Sequence, residues 1–299
     1  MKRIEKMFKA LGTLNIIQVV SENDDIKNIL DSIEQYVLDM DDKLSIFKEN
    51  SEASLINNNA GIKPVIVSKD TFELIKLSKE YSVLTEGMFD ITVKPLVNKN
   101  NKKNFEQCVN FRDTLGYTDY NSIILNETMH SVMLEKAGQG MDFGAIAKGY
   151  IMDRIIEIFK YNFVENGTIN LGGTTISLGN KTTVGIRNPF KPLNESRYDE
   201  AVITFESIDE IVVTSGLYEQ GNHIINPKTG EKVSGELISA TIIGNNGAMQ
   251  DAIATACFGL GIEKCINLLK RCNLGGVFIF KDGRIFATED MIQRIHVKE

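Results

Sequence analysis

The stretch best suited to chemistry runs from Met141 to Asp153 and reads MDFGAIAKGYIMD. The pattern predicts a strand that ends near Asp142, a turn at Gly144 and a helix that carries Lys148 in its first turn. A helix that opens directly from a turn leaves unpaired N–H groups, and these groups with the positive end of the helix dipole attract an anion such as a phosphate. Lys148 adds a full positive charge, and Asp142 can accept hydrogen bonds from a ligand. An ordinary strand–turn–helix corner would show the same pattern.

A carboxylate and a hydroxyl share one face of another predicted helix, at residues 247–261. Asp251 and Thr255 are four residues apart, so both side chains project from the same side of the helix. Oxygen ligands of these two kinds suit a hard cation such as Mg²⁺, helped by a backbone carbonyl and phosphate oxygens. A plain side-chain hydrogen bond also explains this common spacing.

Two further groups of residues suit close contact with a ligand. Adjacent glycines let the backbone approach a ligand without a side chain in the way, although a simple hairpin turn has the same sequence. A Thr-Ser-Gly run at a predicted strand end, followed by a glutamate, suits a ribose, a ring or a phosphate, although a capped turn explains it too. The first group is Gly172 and Gly173, and the second is Thr214, Ser215, Gly216 and Glu219.

His223 is the candidate for acid–base chemistry. The chain has three histidines, and this one precedes the INPKTG turn at 225–230, among other candidate residues. His130 and His296 have no such neighbours. An imidazole exchanges protons near neutral pH, as a general base must. The ordinary interpretation is a histidine on the surface.

Composition excludes several classes of protein. A formal net charge of −7 argues against a general nucleic-acid binder, and no run approaches the roughly 18 apolar residues that a membrane span needs. The N-terminal segment MKRIEKMFKALGT has no continuous apolar stretch, cleavage site or lipid-attachment cysteine, which predicts no secretory signal and a cytoplasmic protein. We expect buried free thiols in a reducing compartment, because no metal or redox pattern joins Cys108, Cys257, Cys265 and Cys272.

Hydrophobic periodicity predicts an α+β or mixed α/β chain without regular alternation of strands and helices. Polar or loop connections are predicted at 44–61, 87–97, 98–107 and 191–200. Helices are predicted at 24–40, 68–84, 145–153, 247–261 and 262–272. Strands are predicted at 12–20, 65–67, 122–126, 131–135, 201–206, 210–214, 237–243, 276–280 and 284–287, and on both sides of the glycine turn in 167–180.

Taken in order, eight segments resemble the ApbE family, the FAD:protein FMN transferases. The resemblance covers nearly the whole chain, from LGT at 11–13 to the helix at 247–261. A single such segment would be weak, but eight in the order of the family are a strong signal. They are SEASLIN (51–57), GMFDITVKPLV (87–97), MDFGAIAKGYIMD (141–153), NLGGTTISLG (170–179), VGIRNP (184–189), VTSGLYEQ (213–220), HIINPKTG (223–230) and MQDAIATA (249–256).

The resemblance implies a fold and a reaction. It implies one catalytic unit over residues 1–299, with an ApbE-like (T-fold-like) α+β architecture of mixed, largely antiparallel sheets and flanking helices, and with FAD in a central cleft. Such enzymes use Mg²⁺ and transfer the FMN moiety of FAD to a Thr or Ser hydroxyl of an acceptor protein, and AMP is released. Positioning and charge neutralisation matter most in this phosphoryl-group chemistry. The acceptor carries a D-x-x-[ST]-G-A-[ST]-like segment, and this chain has no clear copy of it.

The resemblance also implies roles for single residues. The Ala145 carbonyl, Asp251 and Thr255 would hold Mg²⁺, and His223 would take the proton of the acceptor hydroxyl. Phe47 would stack on a flavin or adenine ring. The residues that would bind or line FAD are Phe47, Asp142, Ala145, Lys148, Gly172, Gly173, Thr214, Ser215, Gly216 and Glu219.

Two departures and two alternatives accompany the resemblance. FDIT stands at 89–92 where the family has FDPT, and the chain has no tryptophan where the family has one shortly after PLV. Both departures bear on the pocket wall near residues 87–107. A FAD pyrophosphatase would use the same metal site with water in place of the acceptor hydroxyl. A non-catalytic FAD-binding protein would have no evident need for the Asp251 and Thr255 pair.

Overall fold

A computed structural model of the chain describes residues 2–100, 115–191, 201–218 and 223–298. Parts of the predicted connections at 98–107 and 191–200 lie outside these ranges, as do Cys108 and Glu219. The architecture is α+β, as predicted, and every strand pair among the described residues is antiparallel.

The strands and helices follow one another without regular alternation. The strands are β1 (Lys2–Ala10), β2 (Thr13–Ser21), β3 (Val65–Ile66), β4 (Ile123–Asn126), β5 (Ser131–Leu134), β6 (Gly167–Asn170), β7 (Thr174–Leu178), β8 (Thr182–Arg187), β9 (Ala201–Ser207), β10 (Ile211–Gly216), β11 (Leu237–Gly244), β12 (Gly275–Phe280), β13 (Ile285–Ala287) and β14 (His296–Val297). The helices are α1 (Ile26–Leu44), α2 (Glu52–Asn58), α3 (Lys69–Leu84), α4 (Lys94–Asn100), α5 (Ala147–Tyr161), α6 (Gly247–Leu260), α7 (Ile262–Cys272) and α8 (Glu289–Ile292).

A central sheet of eight strands organises the chain, in the order β1-β2-β6-β7-β10-β11-β12-β13. Side chains of successive residues point to opposite faces of a strand, and the two faces of this sheet have different partners. One face packs in the main core with the helices, through residues such as Val213, Ile242 and Phe278. The other face packs against the small sheet β14-β9-β8, where Val212 and Ile243 join a second buried cluster. The central sheet is therefore a middle layer.

All five predicted helices are present, although α5 continues to Tyr161 rather than ending at Asp153. Amphipathic spacing explains the success for α1, in which the apolar positions spaced by three and four are buried. Among the described residues no helix has both the length and the apolar composition to cross a membrane. The buried positions of α1 are Ile26, Ile29, Leu30, Ile33, Val37, Met40 and Leu44.

Several local predictions are wrong. Strand β1 was not predicted, because its charged residues conceal the alternation that buries Phe8 and Ala10. The segment 44–61, predicted as a polar connection, contains α2. Ser51 is the N-cap of this helix, and its side chain accepts a hydrogen bond from the Ser54 N–H. The segment 87–97 holds a 3₁₀ turn at Ile91–Val93 and the start of α4 rather than an extended piece. Residues 141–143 are irregular, not the end of a strand.

The cysteine prediction is also wrong for one pair. Cys257 and Cys265 form a disulfide, with their Cα atoms 5.4 Å apart, which is an ordinary separation for such a bridge. Gly261, at φ +80°, separates α6 from α7 and brings the two cysteines together, an arrangement that sequence spacing alone does not reveal. Cys272 is free and half-buried. A disulfide is uncommon in a reducing compartment, so these cysteines no longer argue for one.

Candidate active site

The loop before α5 is fixed from two sides. The amide of Asn57 in α2 donates to the carbonyl of Met141 at 3.1 Å, and its oxygen accepts the Met141 N–H at 2.6 Å. The N–H of Asp142 donates to the carbonyl of Ile91 at 2.8 Å. Sequence analysis missed the role of Asn57, although it lies in one of the segments that carry the resemblance. This side chain holds the backbone from which the predicted anion site begins.

Asn57→Ala is expected to lower the free energy of unfolding by about 2–3 kcal/mol, because it leaves both buried polar groups of Met141 without partners. Asn58→Ala, in the same helix, is the matched control, since the Asn58 side chain is exposed and makes no hydrogen bond to the described residues. Urea unfolding measures both changes. Equal effects of the two substitutions would show that the contact with Met141 contributes nothing.

Asp142 is held in its own turn. Its carboxylate accepts the N–H of Gly144 at 2.8 Å. Its charge acts on Lys94: burial lowers the pKa of Lys94, and the charge of Asp142 raises it. Lys94, at the start of α4, was not singled out from the sequence. Its amine adds positive charge to this side of the site.

Lys148 lies in the first turn of α5, as predicted, and reaches the glycine turn. Its Nζ donates to the carbonyl of Gly172 at 2.9 Å. Gly172 and Gly173 have φ values of +68° and +93°, which favour glycine. A Cβ on Gly172 would lie 2.4 Å from the methyl carbon of Thr13, the first residue of β2, so a larger residue would clash there. The two glycines form the β6–β7 turn and also present bare backbone beside a lysine.

Asp251 is almost fully buried on α6 and faces the start of α5. Its Oδ2 accepts the backbone N–H of Gly149 at 3.0 Å. Burial raises the pKa of Asp251, and the nearby charge of Lys148 acts in the opposite direction. One turn further along α6, the Thr255 hydroxyl lies 3.4 Å from the hydroxyl of Ser215. The predicted pair therefore shares one corner with Lys148 and the end of β10.

Neighbouring residues of β10 divide between the two faces of the sheet. Ser215 points towards α6, whereas the Thr214 hydroxyl bonds to the hydroxyl of Thr241 at 3.0 Å. The backbone of Thr214 still borders the glycine turn, since its N–H donates to the Gly173 carbonyl at 2.8 Å. Gly216 pairs with Ser239 of β11. Sequence analysis grouped the three residues of this run, but of Thr214 and Ser215 the alternation of the strand presents only Ser215 towards Thr255.

The remaining predicted site residues are Phe47, Ala145, His223 and Glu219. The Phe47 side chain is 91% exposed, so it packs against little of this chain, and its stacking role stays a prediction. His223 is exposed and precedes the turn in which the Asn226 carbonyl accepts the N–H of Gly230 at 2.8 Å. Ala145 is half-buried just before α5. The structure does not describe Glu219.

Asp90, in the FDIT segment, has a structural role. Its carboxylate accepts the N–H and the hydroxyl of Thr92 and the N–H of Tyr120, at 2.7 to 3.1 Å. Burial raises its pKa. The FDIT segment is thereby tied to Asp119 and Tyr120, although isoleucine stands at position 91 in place of the proline expected from the resemblance.

The donor set of the corner fits a hard cation. Asp251 contributes a carboxylate, and its hydrogen bond with the Gly149 N–H leaves oxygen lone pairs available. The described residues contain no cluster of three or more His, Cys, Asp or Glu side chains that could hold a metal. A cation here would need hydroxyl, carbonyl and ligand phosphate oxygens as well, a combination that Mg²⁺ accepts.

Comparisons with known proteins agree with one another. A family model described as the ApbE family matches residues 11–278. A FAD:protein FMN transferase from Klebsiella pneumoniae (strain 342) is 33% identical over 268 residues, which cover 85% of this chain and 83% of that protein. The protein of the same name from Treponema pallidum (strain Nichols) is 27% identical over 321 residues, covering 96% and 87%.

Solved structures show the same fold. The ApbE protein from Thermotoga maritima superposes with a TM-score of 0.84 at 27% identity, and the match covers 100% of both chains. The flavin transferase ApbE from Vibrio cholerae also gives a TM-score of 0.84, at 22% identity, with 98% of this chain and 99% of that chain covered. The fold prediction of ApbE-like, largely antiparallel sheets with flanking helices is therefore confirmed.

Proposed function

The chain belongs to the ApbE family, and from this premise we propose that it transfers FMN from FAD to a Thr or Ser hydroxyl of an acceptor protein. The proposed reaction depends on Mg²⁺ and forms a bond between the hydroxyl oxygen and the phosphorus of FMN. The pyrophosphate bond to AMP breaks, AMP leaves, and the hydroxyl proton passes to a base. We propose the whole of residues 1–299 as one catalytic unit, with FAD in its central cleft.

The observation that carries this proposal is the corner in which Lys148 reaches the glycine turn beside a buried carboxylate. The bare backbone at Gly172 and Gly173 allows a pyrophosphate to approach closely, and Lys148 neutralises part of its charge. Such neutralisation is the main contribution that a protein makes to phosphoryl-group transfer. A storage protein for FAD would not need a carboxylate buried at a cost in this place.

The metal ligands in this proposal are the Ala145 carbonyl, Asp251 and Thr255. Bound Mg²⁺ would act as a Lewis acid that neutralises charge on the pyrophosphate. Asp251 keeps its carboxylate oriented through the Gly149 N–H, and Ser215 stands beside the Thr255 hydroxyl.

The remaining roles concern FAD and the acceptor. We propose that His223 takes the proton of the acceptor hydroxyl, and that Asp142 accepts hydrogen bonds from FAD. Phe47 is proposed to stack on a ring of FAD. Backbone and side chains of Thr214, Gly216 and Glu219 are proposed to line the same cleft.

The test is flavin transfer to a small acceptor domain that carries a D-x-x-[ST]-G-A-[ST]-like segment. The purified chain is mixed with FAD, Mg²⁺ and the acceptor, and the products are separated on a denaturing gel. We expect flavin fluorescence that stays with the acceptor and an equal amount of released AMP. The matched controls are the acceptor with its target Thr replaced by Ala, and the reaction with EDTA, neither of which should be labelled.

Other outcomes would replace the proposal. Free FMN and AMP without a labelled acceptor, over a panel of acceptor domains, would identify a FAD pyrophosphatase. FAD that binds but is not consumed would identify a binding protein. A cytoplasmic location is also part of the proposal, and fractionation of cells that make the protein tests it. Recovery outside the cytoplasm would contradict it.

A further inference from the structure

Asp153 is a half-buried carboxylate that the proposed chemistry does not use. It lies on α5, and its two oxygens accept the first two N–H groups of α6, from Gly247 at 2.7 Å and from Ala248 at 2.9 Å. The cap residue of α6, Asn246, separately accepts the N–H of Met249 at 2.9 Å. The first turn of α6 is thus capped partly by a side chain from another helix.

A second contact runs in the opposite direction between the same two helices. Asp251 on α6 accepts the N–H of Gly149, which belongs to the first turn of α5. Each helix therefore donates N-terminal N–H groups to a carboxylate of the other. The favourable interaction of a carboxylate with a helix N-terminus acts twice at this crossing.

Helices α5 and α6 are in direct backbone contact where they cross. A Cβ on Gly149 would lie 2.1 Å from the carbonyl oxygen of Gly247, so the two backbones touch. Asp251 is one turn beyond Gly247 and Ala248, and Thr255 is one turn further. A small rotation or shift of α6 would therefore displace the oxygens of both residues.

Burial of the charged Asp153 carboxylate at this place costs free energy. Burial raises its pKa to about 6, even though its two backbone hydrogen bonds favour the charged form. An apolar residue would avoid the cost, and Asn246 already caps the helix. A carboxylate that receives two adjacent N–H groups fixes both the position and the rotation of α6, which a single cap does not.

We propose that Asp153 is a positioning residue for the metal pair: by holding the first turn of α6 against α5, it sets where Asp251 and Thr255 present their oxygens to a divalent cation. The inference rests on the proposed function and extends it to a residue that contacts neither the cation nor FAD.

The test measures cation binding directly. Mn²⁺ is titrated into the full chain with FAD present and no acceptor, and the signal of free Mn²⁺ is followed by electron paramagnetic resonance. Asp153→Asn keeps the shape of the side chain but only one acceptor oxygen. We expect its Kd for Mn²⁺ to rise about 10- to 100-fold, as for other residues that orient metal ligands. The KM for Mg²⁺ in flavin transfer should rise in parallel, and the KM for the acceptor should not change.

Glu157→Gln is the matched control. Glu157 lies one turn further on α5, is exposed and contacts Arg154 at 2.7 Å. The substitution removes the same charge from the same helix and should leave the Kd for Mn²⁺ within twofold of the wild type.

A second variant separates positioning from stability. Asp153→Glu keeps the negative charge near the start of α6 but moves the carboxylate oxygens. Its melting temperature should therefore be close to that of Asp153→Asn or above it, while its Kd for Mn²⁺ still rises.

A Kd for Mn²⁺ within twofold of the wild-type value in either folded variant would overturn the inference. A wild-type chain that binds Mn²⁺ but transfers no flavin would refute the transferase and leave the test of Asp153 intact. A wild-type chain that binds no Mn²⁺ would overturn the metal site and this inference together.

Discussion

Asp251→Asn is expected to reduce Mg²⁺-dependent flavin transfer by about 10³-fold or more, because a bound metal ion supplies several kcal/mol of charge stabilisation and each 1.4 kcal/mol changes the rate tenfold. The asparagine is close in shape and can still accept the Gly149 N–H, so the fold should persist. The assay is the acceptor-labelling gel with AMP release measured beside it.

The same substitution should stabilise the ligand-free chain at neutral pH. Burial raises the pKa of Asp251 above the value of 3.8 for an ordinary aspartate. A raised pKa in the folded state means that the group favours folding only at low pH, and that this contribution is lost as pH rises through the folded pKa. Asparagine carries no such penalty. The difference in unfolding free energy between the variant and the wild type should therefore grow in favour of the variant as the pH is raised from 4 to 8.

Asp39→Asn is the control for both measurements, since Asp39 is exposed on α1 and far along the chain from the site. It should change neither transfer nor the pH dependence of stability. Full transfer by Asp251→Asn with an unchanged requirement for Mg²⁺ would remove Asp251 from the metal site.

Gly149→Ala is expected to be among the most damaging single-methyl changes in the chain. The added Cβ would lie 2.1 Å from the Gly247 carbonyl oxygen and 2.4 Å from its carbon, both in backbone that cannot rotate away. Helices α5 and α6 would have to separate, which costs about 3 kcal/mol or more in a packed core. Asp251 would lose its hydrogen bond, and transfer should fall with stability.

Gly235→Ala is the matched control. A Cβ there would meet only the carbonyl oxygen of Phe258, at 3.8 Å, which is ordinary contact. This variant should unfold within about 1 kcal/mol of the wild type, and the loss of backbone freedom in its unfolded state can even favour folding. Thermal melts and the labelling assay measure both variants. A Gly149→Ala chain as stable and active as Gly235→Ala would show that the helices do not meet as described.

The local part of the site was predictable from the sequence. Helical spacing placed Asp251 and Thr255 on one face, and the turn–helix pattern placed Lys148 in a first turn next to a possible anion. Those features depend on neighbours within one or two turns, which periodicity and turn residues report. The glycine pair was predicted as a turn for the same reason.

Contacts across the chain were not predictable in this way. Asn57 meets Met141 from 84 residues away, and Asp153 meets Gly247 from 94 residues away. Neither residue carries a local signal, because an asparagine in a predicted polar connection and an aspartate in a predicted helix are both typical of the surface. The Cys257–Cys265 disulfide also depends on which elements become neighbours. The family resemblance supplied the order of the segments but not these supports.

The order of strands in the central sheet determines how late in synthesis the sheet and the candidate site can be completed. β7 emerges from the ribosome long before β10, its neighbour in the sheet, and the glycine turn and Lys148 are complete before Ser215 and Asp251 have been made. A nascent chain that stops short of α6 lacks Asp251, β12 and β13, so the β11 edge of the central sheet is unpaired. In the proposed function, FAD and Mg²⁺ would therefore shift the balance towards the native state only for a chain that is nearly finished. Until then, the early segments must rely on their own packing, or on chaperones, to escape aggregation.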